Sequence, residues 1–128
     1  MRLLLDTQPL IWYVDQDHLL SAAAHQAIGD PANELLISAA TVWEIAIKVG
    51  LGKLKLSLPY RQWMTQAIAD LNLALLPITV EYADVQAVLP RHHRDPFDRL
   101  LIAQAMVEQI PIVSGDPAFD AYSVQRLW

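Results

Sequence analysis

The chain has 128 residues, 54% of them hydrophobic, with no cysteine and a formal net charge of −5. That length suits one compact domain over residues 1–128 and leaves no room for a second. Without Cys, disulfides, thiolate metal sites and cysteine nucleophiles are excluded, so any metal must take oxygen or imidazole ligands.

The first element is "RLLL" (2–5), a short continuous apolar run that marks a strand buried on both faces. Asp6 and Thr7, each able to cap a helix, come directly after it. A helix is predicted at 21–29. "ELLIS" (34–38) reads as a second strand and feeds "AATVWEIAIKVG", where Val42, Ile45, Ala46 and Val49 recur at helical spacing and Gly50 offers a stop. Within it Thr41-x-x-Glu44 has the text of a capping box, but a helix already under way at Ala39 would set Glu44 deeper. "GLGKLKLSLP" (50–59), with Lys53 and Lys55, is the loosest-looking stretch. Helices are predicted at 59–72 and 80–89, with Pro59 in a first turn and the strand "LALLPI" (73–78) between them.

Residues 91–99, "RHHRDPFDR", crowd seven ionisable side chains in front of the apolar helix 96–109. "DPFD" fits Asp95 as N-cap, Pro96 as the first helical residue and Asp98 as the third. "IPIVS" (110–114) is a fourth strand, Asp116 in Gly-Asp-Pro fits a turn, and "SVQRLW" (123–128) suits a last edge strand. Strands alternating with helices imply an α/β fold around a parallel sheet of four to five strands covered on both faces.

Ligand chemistry in such a sheet collects beyond the carboxyl ends of its strands. Asp6, Glu44, Asp98 and Asp116 all fall there, although they come from distant stretches of chain. Two carboxylates about 4 Å apart repel by about 4 kcal/mol at an effective dielectric near 20, so a cluster of them calls for a counter-cation. An all-oxygen set suits Mg²⁺ or Mn²⁺. Such an ion activates water and neutralises charge on a phosphodiester, the basis of metal-assisted phosphoryl hydrolysis. The excess of 14 acids over 9 bases argues the same way: the chain lacks the basic footprint that grips nucleic acid by charge alone. Arg91, His92, His93, Arg94 and Arg99 are candidates to meet substrate phosphates beside the acids.

With "LLLDT", "SAATVWEIAIKVGLGKL", "LPRHHRDPFDRLLIAQA", "IVSGDPAF" and the closing "LW" in that order, the chain resembles the PIN-domain ribonucleases, most closely the VapC-type toxins of bacterial type II toxin–antitoxin systems. The resemblance implies an α/β/α sandwich and a Mg²⁺- or Mn²⁺-dependent endoribonuclease that cleaves structured RNA, of the tRNA or rRNA class, by metal-activated water. It assigns catalytic and metal-binding roles to Asp6, Glu44, Asp98 and Asp116, with Asp95 an alternative ligand and Thr7 positioning a water. It also implies a cognate antitoxin, a homodimer and a cytoplasmic location. Four Trp and four Tyr are more apolar bulk than a monomer of this size needs to hide, which suits partner interfaces.

No apolar run reaches the roughly eighteen residues of a membrane span, and Asp6 interrupts the apolar start, so a soluble, unprocessed protein without a membrane partner is expected. Two rivals stand beside the nuclease. A receiver-like phosphoacceptor domain shares the layout but usually carries a Lys after its last strand, whereas Lys48, Lys53 and Lys55 all lie mid-chain. A non-catalytic RNA- or protein-binding module would gain nothing from the acids.

Overall fold

The structure, a computed structural model, describes residues Met1 to Trp128. Its elements are β1 (Arg2–Leu5), α1 (Thr7–Asp15), α2 (Ala22–Gly29), β2 (Glu34–Ser38), α3 (Ala39–Gly50), α4 (Tyr60–Asp70), β3 (Ala74–Leu76), α5 (Val80–Val88), α6 (Pro96–Glu108), β4 (Ile112–Val113) and β5 (Arg126–Leu127). Two 3₁₀ turns, Asp17–Leu19 and Pro117–Ala121, were not foreseen from the sequence.

All five strands run parallel in the order β3-β2-β1-β4-β5, with both edges short. Side chains alternate across the pleat, which is why the strands read as unbroken apolar runs. Leu3, Leu5, Leu35, Ile37 and Val113 pack with Leu10, Ile28, Ile45 and Trp63 in one buried cluster. Leu4, Leu36 and Ile112 pack with Leu89, Leu101, Ile102 and Ala105 in another. The result is an α/β/α sandwich in which each fully buried Leu or Ile contributes about 1.5–3 kcal/mol.

The strand order also decides between folds. A receiver-type sheet runs 2-1-3-4-5, whereas here β1 lies between β2 and β4, so the phosphoacceptor rival is removed. The crossover direction reverses at β1, making the crevice between the ends of β1 and β4 the switch point where such sheets bind ligands. Leu5 pairs with Val113, and the Asp6 N–H donates to the Val113 carbonyl at 3.0 Å, so the residues after both strands emerge at one level.

Two local expectations are corrected. Pro59 is the N-cap of α4 and not a residue of its first turn. The segment after α3 is anchored: the Ser57 N–H and hydroxyl donate to Asp15 at 3.0 and 2.6 Å, while Leu54 and Leu56 pack on the core.

Candidate metal centre

Asp6 directly follows β1 and is the N-cap of α1, its Oδ1 accepting the Thr7 N–H at 2.8 Å. That frees the Thr7 hydroxyl, which donates to Glu44 Oε1 at 2.6 Å. Glu44 is not part of a capping box. Ser38 caps α3, accepting the Ala40 N–H, so the third helical position is Thr41 and Glu44 lies almost a turn further on. There Glu44 is only 7% exposed, with Oε2 3.1 Å from Lys48 Nζ one turn along the helix.

Asp95 is the N-cap of α6: it accepts the Phe97 N–H at 2.9 Å ahead of Pro96. Asp98 lies in the first turn. Asp116 caps the 3₁₀ turn after β4 by accepting the Ala118 N–H at 2.9 Å. Ser114 ties this loop to β1: its hydroxyl donates to Asp6 Oδ2 at 2.8 Å and accepts the Asp116 N–H at 3.0 Å. A Cβ on the intervening Gly115 would lie 3.0 Å from the Trp128 ring, so a larger residue there would require the indole to give by a few tenths of an ångström.

Asp6, Glu44, Asp98 and Asp116 thus line one cleft of about 410 Å³, shared with Thr7, Lys48, Asp95 and Ser114. Their charges act on one another. Burial pushes the Asp98 carboxyl up to about 8, helped by the negative charges of Asp6, Asp95, Glu44 and Asp116. Burial also raises Asp6, opposed by the hydrogen bonds from Ser114 and Thr7 and reinforced by Glu44 and Asp116. A carboxyl held that high at a site with several other acids is short of positive charge, and hard oxygen donors suit Mg²⁺ or Mn²⁺. His93 Nε2 and one oxygen each of Asp98 and Asp116 lie within 4.8 Å of one another, a spacing that could suit a divalent cation.

The basic residues divide. Arg91, His92 and Arg94 are exposed. Arg99 is not available to phosphates: it is 7% exposed, and its guanidinium donates to the carbonyls of Pro90, His93, Gln86 and Leu89. Its place in a charged run suggested the surface, but in α6 it faces inward under the loop before the helix. His93 also turns inward, with Nε2 2.9 Å from Asp98 Oδ2 and 3.8 Å from Asp116 Oδ2. Lys48 and Ser114 were missed in the sequence reading. The first had a signal in its i, i+4 spacing from Glu44, and the second in its place at the end of β4, opposite Asp6.

Asp95 and Asp98 separate by substitution. Asp95→Asn keeps a good cap and is expected to cost only a few tenths of a kcal/mol, whereas Asp95→Ala costs about 1 kcal/mol, both read by urea unfolding. Metal-dependent activity should fall further for Asp98→Asn than for Asp95→Asn; the opposite ranking would move the ligand role to Asp95.

The PIN domain family profile matches residues 3–125 of the chain. Ribonuclease VapC22 of Mycobacterium tuberculosis is 32% identical over 114 residues, 88% of this chain and 85% of that protein. Among solved structures, VapBC2 from Rickettsia felis, bound to a DNA fragment from their promoter, superposes with a TM-score of 0.67 over the full length of both chains at 15% identity. FitAcB from Neisseria gonorrhoeae gives 0.63 at 19% identity, over 97% of this chain and 95% of that one. At those identities the two structures speak for the fold, while the profile and the VapC22 alignment carry the kinship: the chain belongs to the PIN domain family, among its VapC-like members.

Proposed function

We propose that this chain is a divalent-metal-dependent endoribonuclease, the toxin of a type II toxin–antitoxin pair, acting in the cytoplasm on structured RNA of the tRNA or rRNA class. The observation that carries this reading is the cleft at the switch point, where acids from four separate elements meet and the proton affinities of Asp6 and Asp98 rise. Family membership supports nuclease chemistry, and the name of the similar VapC22 supports RNA as substrate.

In this reading Asp6 and Asp98 hold Mg²⁺ or Mn²⁺, with Glu44 and Asp116 completing the set. When bound, the ion supplies charge neutralisation at the phosphodiester and a more acidic water. Thr7 fixes Glu44 and presents its remaining lone pairs to a water in the same cleft. Lys48 pairs with Glu44 and offers a cation beside the phosphate. Arg91, His92 and Arg94 meet neighbouring RNA phosphates from the rim. A cognate antitoxin is the expected partner, supported by the likeness to VapBC2 and FitAcB, and a homodimer would cover part of the exposed apolar surface at Trp43, Leu51, Val80 and Val88.

The test is direct. Purified protein incubated with total cellular RNA should generate new, mappable ends with Mg²⁺ or Mn²⁺ and none with a chelator. RNA left intact in the presence of metal would overturn the proposal and favour a non-catalytic binding module. Glu44→Gln should weaken Mn²⁺ binding by about tenfold, and superimposable titrations of variant and parent would remove Glu44 from the site.

A further inference from the structure

The ring of His93 is held from several directions. Its Nδ1 accepts the backbone N–H of Asp95 at 3.3 Å, and its edge meets the Phe119 ring with centroids 6.2 Å apart. The backbone N–H of His93 donates to the Tyr122 hydroxyl at 2.8 Å, and its carbonyl accepts from Arg99 at 3.4 Å. The remaining ring nitrogen, Nε2, is buried without a hydrogen-bond partner. It lies 2.9 Å from Asp98 Oδ2, a hydrogen-bond distance that lacks the angle of a hydrogen bond, and 3.8 Å from Asp116 Oδ2.

The bond from Asp95 decides which nitrogen carries the proton. An imidazole nitrogen that accepts an N–H must present its lone pair, so the proton of the neutral ring sits on the other nitrogen. A proton on Nδ1 would face the Asp95 N–H donor to donor. Nε2 therefore carries the proton, close to Asp98 Oδ2 though not aligned on it, and the lone pair a metal would need is turned away, toward the backbone. Completing the hydrogen bond requires the Asp98 carboxyl to turn about its χ2, a broad and soft torsion.

We propose that His93 is a positioning residue: a neutral Nε2–H imidazole that donates to Asp98 and aims it into the cleft, neither a metal ligand nor a contact to RNA phosphate. The turn before α6 then does two things through one residue. Asp95 caps the helix with its side chain and sets the His93 tautomer with its N–H. The consequence for metal binding rests on the nuclease reading; the tautomer does not.

Long-range ¹H–¹⁵N correlation on histidine-labelled protein at about pH 8, above the ordinary imidazole range, reads the tautomer directly, with His93→Gln assigning the signals. The expected result is a protonated Nε2 and a lone-pair-bearing Nδ1, both retained at saturating Mg²⁺. A proton on Nδ1, or loss of the Nε2 proton when Mg²⁺ is added, would overturn the proposal. Calorimetric Mn²⁺ binding gives the second readout. His93→Gln, whose amide N–H reaches the same place, should stay within about 3-fold of the parent, while His93→Leu loses about 10- to 100-fold, the usual cost of removing a partner that orients a ligand. Equal losses in both variants, or none in either, would also overturn it. If the parent neither binds Mn²⁺ nor cuts RNA, the nuclease reading falls, while the tautomer measurement still decides the state of His93.

Discussion

Asp98→Asn is expected to do two opposite things: abolish metal-dependent RNA cleavage, by at least about 10²-fold, and stabilise the metal-free fold. The second effect comes from the direction of the Asp98 shift. Its ordinary value is 3.8 and its folded value about 8, so the folded chain holds this proton more tightly than the unfolded chain. Stability from this group is therefore complete below about pH 4 and is lost as pH rises toward 8, where a charge must be carried among other acids. Asn carries none. In chelator, the gain from Asp98→Asn should be absent near pH 4 and grow to on the order of 2 kcal/mol at pH 8. This figure is well below the full conversion of the shift because the half-buried carboxyl is screened by water. Saturating Mg²⁺ should reverse the ranking, since an ion bound only by the folded parent stabilises it by mass action. Urea unfolding at pH 4 and 8, with chelator and with Mg²⁺, tests all of this. A variant less stable than the parent at pH 8 in chelator would mean that Asp98 is not a strained acid.

The same physics explains which parts of the site could be read from the sequence. That Asp6, Glu44, Asp98 and Asp116 meet in one cleft was legible because strand runs such as "RLLL" and "ELLIS" locate the ends of a parallel sheet, and a parallel sheet gathers the residues just past its strands along one edge. Glu44 illustrates the limit. Its text matched a capping box, and only the start of α3 at Ala39, capped by Ser38, shows that it sits too deep to cap. The direction of a side chain in an irregular segment was not legible at all. Residues 91–95 have no period, so nothing in "RHHRD" distinguished His93, turned in beneath Asp98, from His92, exposed against the Tyr122 ring. Lys48 carried a helical signal, but an i, i+4 Glu–Lys pair is ordinarily a solvated surface feature. Only the burial of Glu44 makes it part of the cleft.

Arg99→Met is expected to be the most destabilising substitution in this region, by about 3–5 kcal/mol, because it removes several hydrogen bonds from one buried guanidinium, each bond to a charged group being worth about 1.5–3 kcal/mol. The guanidinium donates at 3.0 Å to both Pro90 and Gln86 and at longer range to Leu89, His93 and the Tyr122 hydroxyl. Methionine fills much of the same volume but leaves the Leu89 and His93 carbonyls without a donor, at about 1–3 kcal/mol for each one buried, while Pro90 keeps the Tyr122 hydroxyl and Gln86 the Leu89 N–H. Lysine restores the charge without the planar fork and should recover only part of the loss. The damage should also reach the cleft. Arg99 binds the end of α5 and the loop through His93 to the first turn of α6, the same turn that presents Asp98. Loosening it frees His93 before the helix unfolds. Urea unfolding measures the first effect, and Mn²⁺ affinity measured well below the unfolding transition measures the second. An Arg99→Met protein of parental stability but reduced RNA affinity would return Arg99 to the RNA-binding surface that its charge first suggested.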